Sequence, residues 1–190
     1  MSDKKHAHLA SEWVNAYSSQ LLGFAISRVK DEHLAKDLVQ ETFVSAWKNI
    51  EQYNGEASVK TWLTTILKNK IIDHYRKAST RLTDSLGDND ATQDVFFDDA
   101  DHWAKAHYPQ QFSIRPNNNI EKKEFYTILA ACRKKLKAIQ DAVFSLKYLD
   151  GMDSETICKE LNISPSNYWV LIHRAKVQLR GCIETKWINQ

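Results

Sequence analysis

Apolar side chains recur every three or four residues through most of this chain, the spacing that lets a helix bury one face. Val14, Tyr17, Leu21, Phe24, Ala25 and Val29 predict a first helix from Glu12 to about Lys30. A second runs from Leu34 to Ile50, with Ala35, Leu38, Val39, Phe43, Ala46, Trp47 and Ile50 filling one broad side. Asp37, Gln40, Glu41 and Lys48 gather on the opposite side, a stripe that is either a solvated face or a docking surface. The polar run Gln52–Glu56 ends this helix, and Ser58 caps the next. Val59, Trp62, Leu63, Ile66 and Leu67 make the new apolar stripe, and Lys60, Thr64 and Lys68 make the facing polar row. There the register fails. One uniform helix would put Lys70 on the buried stripe and Ile71 and Ile72 outside. The pattern therefore predicts a break near Lys68–Lys70 and a new short helix packed through Ile71, Ile72 and Tyr75.

Helical periodicity disappears over residues 81–119, where acids, asparagines and turn residues predict a linker. Phe96, Phe97, Trp103, Tyr108 and Phe112 are too many aromatics for an inert spacer, and suggest a segment that docks on the flanking lobes or on a partner. Periodicity resumes near Ile120. Phe125, Ile128, Leu129, Cys132 and Leu136 predict one helix; Ile139, Val143, Leu146 and Leu149 predict another, stopped by Gly151. Asp153 caps a short helix that turns Ile157 and Leu161 inward. After a turn at Asn162 and Ile163, Ser164 caps a last helix with Pro165 at its first position, where a missing N–H costs nothing. Tyr168, Ile172, Ala175 and Leu179 form its buried line. The other side carries Ser166, Asn167, Val170, His173, Arg174 and Val177, with Trp169 and Lys176 at its edges.

Composition fits this outline. With 43% apolar residues in 190 there is material for one or two cores, and five glycines and three prolines are few for a turn-rich all-β chain. The expected fold is all-α: two small helical domains, 1–80 and 120–190, joined by an acidic, aromatic-rich linker, 81–119. The net charge of +2 hides an asymmetry, because these segments carry +2, −4 and +4 in chain order: 1–80, 81–119, 120–190. Lys60, Lys68, Lys70, Arg76 and Lys77 face a single acid, Asp73, and are interleaved with Trp62, His74 and Tyr75. Such a mixture suits phosphate contact with base stacking, although aromatics at helical spacing are more commonly core, Trp62 included. From Ser164 to Ile183 there is no acid at all. A helix, a tight turn and a capped helix with a basic outer face is the arrangement that reads a major groove, and is also that of an ordinary helical hairpin.

Other chemistry is weaker. Asp98, Asp99, Asp101 and His102 cluster in the linker, where solvated acids are the usual reading and a metal site the rarer one. Cys132, Cys158 and Cys182 lack metal-ligand spacing or a secreted disulfide pattern, and each sits where a small apolar residue would suit, as a buried thiol does. No metal and no cofactor is expected, and no nucleophile, base and oxyanion set points to an enzyme. No apolar run approaches membrane-spanning length, so no membrane association and a reduced, cytoplasmic setting are expected.

The motifs carry a resemblance. DLVQETFVSAWKNI, SVKTWLTTILKNKIIDHYRK and YLDGMDSETICKELNISPSNYWVLIHRAKVQLR, in this order, resemble the sigma-70 superfamily, specifically the two-domain bacterial sigma factors of extracytoplasmic-function type. The resemblance implies a region 2 bundle over 1–80 and a region 4 helix-turn-helix over 120–190. It implies a non-catalytic protein whose partners are core RNA polymerase (β′ clamp and β subunit), promoter DNA and an anti-sigma factor. It places Asp37, Gln40, Glu41 and Lys48 on the β′ clamp. Lys60, Trp62, Thr64, Lys68, Asn69, Lys70 and Arg76 fall at the downstream element, with Asn69 where a flipped non-template base is held. Ser166, Asn167, Trp169, Val170, His173, Arg174 and Lys176 fall at the upstream element. Trp169 stands where many relatives carry Arg, and Lys137 where Pro is common, a change expected to lengthen the helix. The acidic linker corresponds to the segment that threads the RNA channel. The competing expectation is a stand-alone helix-turn-helix regulator whose N-terminal lobe dimerises or binds an effector.

Overall fold

The computed structural model describes residues 2–82, 105 and 119–188. Among these the chain is helical with no strand: α1 (Ser2–Val29), α2 (Glu32–Lys48), α3 (Val59–Leu82), α4 (Asn119–Arg133), α5 (Ala138–Tyr148), α6 (Ser154–Leu161) and α7 (Pro165–Ile183). A 3-10 turn, Ile50–Gln52, follows α2, and a π-helical turn, Glu184–Ile188, follows α7. Two compact units divide at Tyr75 and Arg76. No described helix is long and apolar enough to cross a membrane. The aromatic linker and the Asp98–His102 cluster lie outside the described residues.

In the first unit, Lys30 ends α1 in the left-handed region at φ 60°, and Asp31 caps α2 by accepting from the His33 and Leu34 N–H groups at 2.9 and 3.1 Å. Ala25, Ala35 and Ala46 are wholly buried, small side chains that let α1 and α2 approach closely. Leu21, Leu38, Val39, Leu63, Leu67, Ile71, Ile72 and Tyr75 complete the core, and the Tyr75 hydroxyl donates to the Arg28 carbonyl at 2.8 Å. Ser58 caps α3 as expected, its Oγ accepting from the Thr61 N–H at 3.1 Å.

The expected break near Lys68–Lys70 is absent: α3 is one helix from Val59 to Leu82. Leu63, Leu67, Ile71 and Tyr75 form a single i, i+4 ridge, which turns about 40° round the axis at each step and so brings Ile71 and Tyr75 into the core without a kink. Lys70 stands at the edge of the core, its side chain 22% exposed, with Nζ 3.4 Å from Glu41 Oε2. Trp47, expected inside, is 51% exposed, and Val14 is exposed as well. Trp13 takes the buried place instead. It packs edge-on against Tyr53 and Trp62, at centroid distances of 6.2 and 5.8 Å, closing the loop before α3 over the end of the bundle.

In the second unit, Gly151 at φ 66° ends α5, and the Met152 N–H reaches back to the Leu146 carbonyl at 3.0 Å. Asn162 at φ 53° ends α6, and the Ile163 N–H bonds the Cys158 carbonyl at 3.0 Å. Lys137 does not lengthen a helix as expected. It is the residue before α5, and its N–H donates to the Gln140 side-chain oxygen at 3.0 Å, so the Gln140 side chain, reaching back one turn, closes the start of the helix. The buried line Tyr168, Ile172, Ala175 and Leu179 is as expected, joined by Leu171. Cys132 and Cys182 are not separate thiols. Their Cα atoms are 5.8 Å apart and the sulfurs are bonded, joining the end of α4 to the end of α7. The bond spans 50 residues of sequence, a loop closure worth about 4 kcal/mol of unfolded-state entropy.

One buried polar network went unseen in the sequence. Arg133 donates from Nε to Asp141 Oδ1 at 2.9 Å, from Nη2 to Asp141 Oδ2 at 3.2 Å, and to the Ser145 hydroxyl, all within the unit's interior. Removing one partner strands a buried charge. Asp141→Ala is expected to destabilise the chain by about 3–5 kcal/mol, and joint replacement of Arg133 and Asp141 by apolar residues by much less; urea unfolding of the two variants checks this.

Candidate protein and nucleic-acid interfaces

The outer face of α2 is built by its own inner face. With Ala35, Leu38, Val39, Thr42 and Ala46 buried, Asp37, Gln40, Glu41 and Lys48 must point outward, and all four line one shallow groove of about 510 Å³. Val44 and Ser45 share that groove, and Lys70 closes it from α3. Periodicity missed Val44, which is 50% exposed between Gln40 and Lys48, and Trp47, exposed one turn from Val44. A half-exposed valine and tryptophan among charged side chains form the mixed surface typical of a protein contact, apolar anchors with a polar rim. The Glu41–Lys70 pair is solvated on the Glu41 side and adds little stability, so both groups can be re-paired by a partner.

Because α3 is continuous, it divides the residues expected at the downstream element. At about 100° per residue, Trp62 and Asn69 lie seven residues apart on one line, and Arg76 lies seven further along the helix, exposed. Lys60, Thr64 and Lys68 form a separate row on another side, Lys60 exposed and the other two half-buried, with the Thr64 hydroxyl spent on the Lys60 carbonyl at 2.8 Å. Lys70 is turned away from both, toward α2. Asn69 is exposed with its amide in solvent, but no backbone group is freed beside it, since the helix runs through. Trp62 is half-buried, one side committed to Trp13 and to Tyr53 at 5.0 Å.

On α7 the expected set does converge. Ser164 Oγ accepts from the Asn167 N–H at 3.2 Å, Pro165 occupies the first turn, and the buried line turns Ser166, Val170 and His173 outward together. Trp169 and Val170 are each 41% exposed. Trp169 lies between Tyr168, at 5.0 Å, and His173, at 6.1 Å, which steadies its ring at the rim. Arg174 and Lys176 flank this face, half-buried along their stems. Ahead of it, α6 is held by Asp153, whose carboxylate accepts from the Thr156 N–H at 2.8 Å and from its hydroxyl at 2.7 Å.

Residues 13–81 match the sigma-70 region 2 family and residues 127–179 the sigma-70 region 4 family. A probable RNA polymerase sigma factor of Haemophilus influenzae is 34% identical over 88% of this chain and 86% of its own length. The chain belongs to the sigma-70 family of RNA polymerase sigma factors, extracytoplasmic-function type. Two ECF RNA polymerase sigma factors of Bacillus subtilis, SigM and SigX, are each 29% identical, over 87% and 90% of this chain and 89% and 81% of their own. In this sigma factor the region 2 match holds the α2 groove and all of α3 but its last residue, and the region 4 match holds the Asp153 cap and the α7 face.

The Asp153 cap gives that sigma region a pH signature. The Thr156 backbone N–H, and then its hydroxyl, hold the Asp153 carboxyl below the usual carboxylate range. A depressed folded value means the cap contributes fully above the ordinary Asp value of about 4 and is lost as pH falls through the lower folded one. Asp153→Ala is therefore expected to lower the urea midpoint at pH 7 and to leave it unchanged at the acid end, where the wild-type carboxyl is protonated too.

Proposed function

We propose that this sigma factor is a dissociable subunit without catalysis of its own, working in the bacterial cytoplasm, which carries core RNA polymerase to its promoters. The observation that carries the residue assignments is one of contrast. The chain presents an α2 groove of mixed charge with exposed Val44 and Trp47, and an α7 face without acids. The first suits a protein and the second a nucleic acid.

In this reading residues 1–80 act as region 2, 81–119 as the connecting linker and 120–190 as region 4. Asp37, Gln40, Glu41 and Lys48 contact the β′ clamp, with Val44 and Trp47 as its apolar anchors, and the linker and second unit reach the β subunit. Trp62, Asn69 and Arg76 take the opened downstream strand, and Lys60, Thr64, Lys68 and Lys70 supply the surrounding field and phosphate contacts. Asn69 offers both an amide donor and a carbonyl acceptor, which is what reading a base edge requires. Opening needs no nucleotide hydrolysis: a protein that binds the single strand better than the duplex shifts that equilibrium by its own differential affinity. Ser166, Asn167, Trp169, Val170, His173, Arg174 and Lys176 read the upstream element. Trp169 replaces a hydrogen-bonding contact with an apolar and stacking one, which favours a thymine methyl over a guanine edge. An anti-sigma factor covering the α2 groove would compete with polymerase for the same side chains.

The test is transcription by purified core polymerase from a cognate promoter with and without the chain, together with co-purification. Asp37→Lys with Glu41→Lys is expected to abolish core binding with the helical content unchanged; normal core affinity in that double variant sinks the clamp assignment. Asn69→Ala is expected to leave core binding and duplex recruitment intact and to lower the fraction of open promoter about tenfold, read by permanganate footprinting. Tight two-fold symmetric binding to promoter duplex in the absence of polymerase would instead favour a stand-alone regulator.

A further inference from the structure

The Cys132–Cys182 bond lies in the unit that carries the α7 face, and it is placed differently from a structural staple. Cys132 is buried, 1% exposed, in a cluster with Leu136, Ala175 and Leu179. Cys182 is half-buried and lines a surface groove of about 430 Å³ with Lys135, Val177, Gln178, Gly181, Thr185 and Lys186. One sulfur is therefore open to a small reagent and the other is kept from it. The two lysines on the rim favour negative charge there, such as the thiolate of an incoming reductant. Proteins of the reducing interior rarely keep disulfides, and those that do use them mostly as transient or sensing bonds.

The attachment of α4 makes the bond consequential. From Ile120 to Ala131 no side chain of α4 is fully buried; Ile128 and Leu129 pack partly on the Cys132 cluster, and the fully buried anchors are Cys132, Arg133 and the following Leu136. On the other side, Cys182 stands just before the π-helical turn that lays Trp187 edge-on against Phe125 of α4, at 5.8 Å. Ala175 and Leu179, which share the Cys132 cluster, are the inward side of the stretch whose outward side carries Arg174 and Lys176. A loosened α4 and chain end would free the C-terminal half of α7.

We propose that Cys132 and Cys182 are a reversible redox site in this sigma factor, whose oxidation clamps α4 and the C-terminal turn onto α7 and holds the promoter-reading helix in its active form. The functional half of this rests on the promoter-reading role proposed above for α7; the chemical half does not. The co-reactant class is a small peroxide. The Cys182 thiolate attacks one peroxide oxygen, giving a sulfenic acid and, with a proton, one water. The Cys132 sulfur then displaces the sulfenic oxygen, which leaves as a second water with the thiol proton. Two electrons pass from the two sulfurs to the peroxide, and an external dithiol returns them. Cys158 takes no part: it is on α6, and burial pushes its thiol up, away from the reactive thiolate.

The experiment uses the full chain, reduced or treated with hydrogen peroxide, and reads three things. Alkylation with N-ethylmaleimide in denaturant, followed by peptide mass analysis, is expected to label all three cysteines in the reduced chain and Cys158 alone after peroxide, with dithiothreitol restoring the rest. Hydrogen exchange across α4 and the end of α7 is expected to be slower in the oxidised chain. Transcription with core polymerase is expected to be about fivefold higher for the oxidised chain. Cys182→Ser should match the reduced chain with or without peroxide, and Cys158→Ser should respond like the wild type. Cys132 and Cys182 remaining open to alkylation after peroxide overturns the proposal, as does equal hydrogen exchange in the two forms. Equal, non-zero transcription overturns the switch. Absence of transcription from both forms counts against the sigma assignment instead, and leaves the redox pair to be judged by the first two readings.

Discussion

A ridge of side chains four residues apart on an α-helix cannot stay on one side, because four steps of about 100° overshoot a full turn by about 40°. On α3 that ridge is Leu63, Leu67, Ile71 and Tyr75, all buried, and the rest of the first unit follows from where it winds. It carries the core from the early turns, beside Trp62, round to Tyr75, which hydrogen-bonds the end of α1. It leaves Lys70 at the core's edge, where it pairs with Glu41, and it leaves Asn69 outside. The residues expected to meet DNA are thus sorted by packing onto different sides of one continuous helix, with Lys70 apart from the rest.

The same winding explains a misreading. A fixed stripe drawn through Leu63 and Leu67 runs into Lys70 and misses Ile71 and Ile72, and a break was the cheapest repair. The coverage that makes the repair unnecessary comes from the rest of the bundle, and it is non-local. Val14 and Trp47 were expected inside and lie outside for a like reason: helical spacing does not mark Trp13, which the closing loop with Tyr53 covers. Cys132 and Cys182, 50 residues apart, offer no local sign of meeting. What was legible was local chemistry. Ser58, Asp153, Ser164 and Pro165, with Asn162 and Gly151 at helix ends, each satisfy or spare backbone groups within a few residues. The helix-turn-helix geometry of α6 and α7 follows from such signals almost alone, which is why the buried line of α7 was legible and the course of α3 was not.

The two presented surfaces differ in how they are stiffened. The α2 groove rests on alanines that bring α1 and α2 together, so its backbone has little room to move while its long side chains are free to rearrange. The α7 face has rigid side chains of its own, Trp169 held between Tyr168 and His173, on a helix whose start is fixed by the Ser164 cap. In the roles proposed above, a surface that accepts a protein and a surface that discriminates among DNA sequences would make opposite demands, adaptability against pre-organisation, and the two would be met by different elements of one chain.

The buried line of α7 has a consequence for how such a protein changes over generations. Tyr168, Leu171, Ile172, Ala175 and Leu179 are buried and anchor the helix, while Ser166 and Val170 are exposed and contribute less. Exchanging an outward side chain costs the fold little, on the order of 0.5 kcal/mol or less, so the face proposed to read DNA can drift one residue at a time on an unchanged scaffold. Duplicated copies of such a gene could part company in the promoters they serve well before they part company in structure.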